Sequence, residues 1–194
     1  MSKIVGIDLG TTFSAIAYLN DLGKPEIAPN FENNQKILPS VVYIDGKSKK
    51  VQVGEKAINA LVTEPDNVVQ AVKKQMENEC VWSTKEGKFI EKNTADAGDD
   101  EYTPAQISSL ILKKLAEFNE GTNKVVVTVP AMFAESARRA TSDAVKIAGL
   151  ELINLINEPT AAILYYASIP DVDVSGKIMV FDLGGGTFDV SIAD

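Results

Sequence analysis

One short motif occurs twice in this chain, near its two ends, and few folds can accommodate it. Residues 5–21 read VGIDLGTTFSAIAYLND, and residues 179–194 read MVFDLGGGTFDVSIAD. Asp8-Leu9-Gly10-Thr11-Thr12-Phe13 matches Asp182-Leu183-Gly184 and, one residue later, Gly186-Thr187-Phe188. Each copy reads as strand, glycine turn, strand. Repetition at this separation points to two halves of a duplicated architecture facing a shared cleft.

The chemistry of such a turn is specific. Glycine admits φ > 0 and lets backbone approach a ligand closely. Successive amides in a tight turn converge on a concavity that binds anions, and Thr11, Thr12 and Thr187 add hydroxyl donors. Asp8 and Asp182 would repel a phosphate directly. They make sense with Mg²⁺ between, held through its water shell. Two such hairpins would grip a polyphosphate from opposite sides. Neither is a Walker loop, since no GxxxxGK[ST] occurs, and neither is a dinucleotide fingerprint, since a strand and not a helix follows each turn. A single glycine hairpin is ordinarily only a turn; the pairing of two carries the reading.

Between the copies the pattern alternates. A third short strand is expected at 26–28, a strand at 38–44 with Pro39 near its start, and a partner at 51–53. Helical spacing predicts helices at 55–63 and 66–78. The acid-rich run 77–101 reads as a solvated face, with a hairpin turn at 85–88 and a loop at 95–101. Thr103, Pro104 and Gln106 form a capping-box signature for a helix that Gly121 would stop. Residues 124–129 and 150–156 read as buried strands, 134–148 as a helix closed by Gly149, and 158–167 as another helix. The order is βββ, an insertion, αβαβα and a closing hairpin. This predicts an α/β fold whose mixed sheet has helices on both faces, with an inserted α+β subdomain.

Composition narrows the chemistry. Among 194 residues there is no His and a single cysteine, Cys80. Ser–His and Cys–His hydrolases, His-based zinc sites and intrachain disulfides are therefore excluded. Nineteen Lys and Arg against 27 Asp and Glu leave a formal charge of −8, the wrong sign for a nucleic-acid backbone binder. No run of 18 apolar residues occurs, so a membrane-spanning helix is not expected. The lone cysteine suits a reducing compartment, and a cytoplasmic location is expected. Catalysis would fall to carboxylates, lysine, threonine and backbone amides.

Four segments, IVGIDLGTTFSAIAY, VVVTVPAMFAESARRAT, LINLINEPTAAILYYA and IMVFDLGGGTFDVSI, occur in the order found in the heat-shock 70 kDa chaperones of the DnaK type, and the chain resembles that family through nearly its whole length. The resemblance implies the actin-like, ribonuclease H-like ATPase fold, with ATP or ADP and Mg²⁺ as ligands. It implies an ATPase that controls peptide binding, with unfolded peptide clients, a J-domain co-chaperone and a nucleotide-exchange factor as partners. Gly10, Thr11, Thr12 and Phe13 match the first phosphate loop, with Phe13 where the family more often has tyrosine. Gly184, Gly185, Gly186 and Thr187 match the second, and Asp189 its closing aspartate. Asp8, Asp182 and Glu158 match residues around the hydrated metal. Lys73, Glu158, Asp182 and Thr187 match the catalytic set. Lys73 lies in AVKKQMEN, where Glu77 replaces the family's glycine. Pro130 and Arg138 match residues that relay nucleotide state to the partner domain. Plainer roles exist for three of these: Lys73 as a helix-face lysine, Glu158 as the cap of a helix beginning at Pro159, Arg138 as a surface charge.

The resemblance also implies an organisation. Residues 1–36 and 116–176 would form a core subdomain, 37–115 an inserted one, and 177–194 the opening hairpin of a second lobe. The expectation is of a fragment lacking most of that lobe and the peptide-binding domain, inactive or nearly so alone and weakly self-associating through 178–194. Rival readings are a weakly hydrolysing regulatory or ribosome-associated relative, and a sugar-kinase or actin-like protein of the same fold.

Overall fold

A computed structural model describes residues 3–172, 175–185 and 188–193. The chain runs β1 (Lys3–Asp8), β2 (Phe13–Leu19), β3 (Pro25–Ile27), β4 (Leu38–Pro39), β5 (Val42–Ile44), β6 (Val51–Val53), α1 (Glu55–Ala60) and β7 (Val68–Val69). It continues through β8 (Cys80–Ser83), β9 (Lys88–Glu91), β10 (Glu101–Tyr102), α2 (Pro104–Ala116), β11 (Thr122–Val129), α3 (Glu135–Ile147), β12 (Glu151–Asn157) and α4 (Glu158–Ala167). The hairpin β13 (Ile178–Leu183) and β14 (Phe188–Ala193) follows.

The principal sheet has the order β12-β11-β1-β2-β3, with β4 on β2. β1, β11 and β12 are parallel, and β2 and β3 antiparallel. The parallel neighbours β11 and β12 are joined through α3, the crossover that such pairing requires. Val5, Ile7, Ile16, Val125 and Val127 pack with Ile107, Ile111, Leu112 and Leu115 of α2 and with Ala144 and Val145 of α3. Each of these side chains is nearly or fully buried. Emptying such a site to alanine typically costs about 2–5 kcal/mol for Leu or Ile. The mixed sheet with its helices gives the expected α/β class.

Local chemistry explains the helix ends. Thr103 Oγ1 accepts from Gln106 N and Gln106 Oε1 accepts from Thr103 N, the reciprocal capping box. After α3, Gly149 adopts φ 79. Gly149 N donates to Lys146 O and Leu150 N to Val145 O, a complete Schellman motif.

Several expectations need correction. Residues 38–44 are two strands in two sheets. Pro39 offers no donor, Ser40 N turns to Thr12 O, and β5 pairs instead with β6 and β7. The helix expected at 55–63 ends at Ala60. Residues 66–78 are not a helix: two 3-10 turns, Pro65–Asn67 and Val72–Gln75, flank β7, because buried Val68 and Val69 pair with β5. α2 stops at Ala116, before Gly121. β11 buries Val125, Val127 and Val129, while residues between them are half-exposed. β12 is the sheet's edge and leaves Ile153 exposed, so it is not the buried strand expected. Within 77–101, strand β8 is buried and pairs with β9 and with β10, which begins at Glu101, the last residue of the loop expected at 95–101.

Candidate cleft at the strand ends

β1, β11 and β12 point their carboxyl ends at one place, where open α/β sheets ordinarily bind ligands. There β1 delivers Asp8, β11 delivers Thr128, and the β12–α4 junction delivers Glu158. A cleft of about 840 Å³ forms between them and the hairpin β13–β14. It is lined by Asp8, Gly10, Thr11, Thr12, Phe13, Lys73, Thr128, Glu158, Asp182, Gly184 and Gly185 among others. Both glycine hairpins therefore face one space, as their repetition suggested. Gly186 and Thr187 lie outside the described residues.

The first hairpin is held from behind. Gly10 N donates to Ser14 Oγ at 3.1 Å, and Ser14 Oγ shares a 2.8 Å hydrogen bond with Ser40 Oγ. Ser14 and Ser40 are both buried. Gly10 thus shapes the turn, and its own N–H is taken within it. A Cβ there would overlap Phe13 O, and one on Gly185 would overlap Thr12 Oγ1. Glycine is required at both positions, the second because the two loops touch. Phe13 lines the cleft and is 49% exposed, with no hydroxyl to offer.

Lys73 comes from a different segment. Ala71, in the left-handed region at φ 52, starts the 3-10 turn that carries it. Lys73 Nζ donates to Glu158 Oε1 at 2.6 Å, and the two side chains are only 11% and 15% exposed. Burial pushes the Glu158 carboxyl above its usual range, against the charge and hydrogen bond of Lys73, which pull it down. Asp8 and Asp182 push it up further. This is a cleft with three carboxylates and one ammonium, a donor set that suits a hard hydrated cation. Among the described residues no three such groups converge closely enough to ligate an ion directly.

Arg138 is not a free surface charge. Its Nη2 donates to Asn157 Oδ1 at 2.8 Å and to Ala131 O at 3.3 Å, and its Nε donates to Phe133 O at 3.1 Å. It bridges the turn after buried Pro130 to the residue that precedes Glu158. Asn157 is the N-cap of α4 but makes no side-chain cap, since Arg138 holds its oxygen. Asp189 pairs with Asp182 across β13 and β14.

Two contributors escaped the sequence reading. Thr128 Oγ1 donates to Asp8 Oδ1 at 3.2 Å, and Thr128 is Asp8's partner in the β1–β11 register. Only the strand pairing could have found it, because one threonine in a β-branched run carries no other signal. Asn157 likewise needed the position of Arg138.

A family model described as Hsp70 protein matches residues 4–194, all but the first three residues.

Proposed function

Because this chain belongs to the Hsp70 family and so carries an Hsp70-type nucleotide-binding, chaperone ATPase domain of the actin-like fold, we propose that the cleft holds ATP or ADP at its phosphates and hydrolyses the terminal one. The observation that carries this is the Lys73–Glu158 pair, set in the space where the two glycine hairpins meet. Amides of residues 11–13 and 184–185 supply donors without adding charge. Lys73 presents its ammonium to the developing negative charge, and Glu158 fixes where that ammonium points. Asp8, Glu158 and Asp182 would hold Mg²⁺ through its waters. When bound, the ion neutralises phosphate oxygens and orients them. Phosphoryl transfer needs mainly this positioning and neutralisation. Thr187 joins the set by its place in the second motif.

Pro130 and Arg138 would pass the state of the cleft outward, since Arg138 ties the turn after Pro130 to the start of α4. In the whole protein the receiving element would be a peptide-binding domain, with unfolded peptides as clients and a J-domain co-chaperone and an exchange factor as partners. The segmentation into 1–36 with 116–176, 37–115 and 177–194 is the proposed organisation of the chain, and a cytoplasmic setting is proposed with it.

Single-turnover hydrolysis of ATP with Mg²⁺ by the whole protein tests the proposal. Lys73→Ala should cut the rate about a hundred-fold, the loss typical of one preorganised stabilising group, and should change nucleotide affinity far less. Wild-type hydrolysis by that variant would remove Lys73 from the reaction.

A further inference from the structure

One acidic residue close to Lys73 in the chain contacts the start of α3. Glu77 lies four residues after Lys73, just beyond the 3-10 turn Val72–Gln75, and Glu77 Oε1 accepts a hydrogen bond from Ala134 N at 3.2 Å. Ala134 is the N-cap of α3, and alanine has no side chain with which to cap. A carboxylate from 57 positions earlier accepts instead from the N–H of the N-cap residue itself, the bond that the N3 glutamate makes in a capping box. It is the right group there, since a helix N-terminus carries free N–H donors and a partial positive charge.

This contact completes a circuit. The segment that carries Lys73 meets the rest of the cleft at Lys73–Glu158 and at Glu77–Ala134. Glu158 begins α4, directly after Asn157. Asn157 is held by Arg138 of α3, and Arg138 also holds Phe133 O, next to Ala134. The helix bearing Arg138 and the turn bearing Lys73 are therefore fastened at both ends of a short span. Buried Val72 and Met76 anchor the apolar side of this turn, with Ser108 Oγ on Met76 Sδ, and the two ties hold its polar side against α3 and α4.

We propose that Glu77 is a positioning residue, a carboxylate clamp on the start of α3 that holds the Lys73 turn so that the ammonium stays on Glu158. This rests on the reading of Lys73 as catalytic, and it adds a residue outside the set that lines the cleft. Glu77 is exposed, so its substitution leaves the core intact.

Glu77→Ala and Glu77→Gln are compared with wild type and Lys73→Ala, each in the whole protein. The readouts are single-turnover ATP hydrolysis, KM, and amide hydrogen exchange at Ala134 and residues 72–76. Glu77→Ala should lower kcat about five-fold with KM nearly unchanged, the factor that one hydrogen bond of ordinary net strength represents. Exchange at Ala134 should quicken by a similar factor. Glu77→Gln keeps an acceptor oxygen and should restore most of both, an outcome that a merely destabilising change would not produce. If Lys73→Ala is slow while Glu77→Ala keeps the wild-type kcat, the clamp is overturned and the catalytic reading stands. If Lys73→Ala hydrolyses at the wild-type rate, the catalytic reading fails. The contact itself is then judged by exchange: unchanged protection at Ala134 in Glu77→Ala overturns it.

Discussion

Replacing Lys73 by methionine tests the electrostatics of the cleft apart from its chemistry. The substitution keeps the apolar stem and removes the charge. Breaking one side of a buried ion pair typically costs about 3–5 kcal/mol, largely because the remaining charge is left desolvated. The Lys73 and Glu158 side chains retain 11% and 15% exposure at the cleft, so a loss of about 2 kcal/mol at neutral pH is expected after discounting for solvent. For a protein of this size that is about 4–8 °C in Tm.

The loss should depend on pH in one direction. In the folded wild type, Glu158 already binds its proton more tightly than an unfolded glutamate does, because burial outweighs Lys73. Without Lys73 only burial, Asp8 and Asp182 act, and all three push the carboxyl upward. A group whose folded pKa is raised binds more protons folded than unfolded through the window between the two values. Stability then falls as pH rises across that window. The deficit of Lys73→Met should therefore be full at about pH 7.5 and smaller at about pH 5.5, and should fade where both states are protonated. Urea unfolding followed by circular dichroism at the two pH values measures it. Adding Glu158→Gln removes the stranded charge and should recover most of the neutral-pH loss. An equal deficit at both pH values, or a double variant no more stable than Lys73→Met, would refute the reasoning.

Two other perturbations probe the hairpins and the acid-rich surface. Gly185→Ala drives a methyl into Thr12 Oγ1; separating the loops should weaken ATP binding with Mg²⁺ about ten-fold, within the usual cost of overpacking, and calorimetric titration giving an unchanged Kd would show that the loops do not act together. Lys49 and Lys85 hold the Asp100 carboxyl down to about 2, so whatever that site adds to stability is present above the ordinary value of 3.8 and is lost as pH falls toward about 2. An NMR titration should find Asp100 at that low value and return it toward 3.8 in Lys49→Met; no movement would show that Lys49 is not the cause.

What could be read from the sequence was what local chemistry dictates. The Thr103–Gln106 box, the glycine that closes α3, and the two glycine hairpins each follow from a few adjacent residues, and the structure bears them out. What could not be read depended on partners far along the chain. Val68 and Val69 have helical spacing with their neighbours, but β5 recruits them as a strand. The strand expected at 38–44 breaks because Ser40 has better partners in Thr12 and Ser14. The acid-rich run conceals a buried strand, and the exposed lysines beside it include the two that hold Asp100. Thr128, Asn157 and the Glu77–Ala134 contact all required strand register or helix placement, which no run of neighbouring residues encodes.

The cleft also shows how a chain of net charge −8 can be suited to a polyanion. Three carboxylates face the cavity against one ammonium, and that ammonium is already paired. Left as it stands, this field opposes a phosphate chain and favours a cation. On the proposed reading the two must therefore bind as a unit, the ion's charge offsetting both the phosphates and the carboxylates that hold its waters. The turn amides then contribute donors whose strength does not depend on the protein's net charge. This divides the labour by residue type. Glycines set how closely the backbone approaches, and carboxylates choose the cation. Among the described residues lining the cleft Lys73 is the one positive side chain, and Glu158 holds its ammonium from within; on the proposed reading Glu77 steadies the same turn from outside.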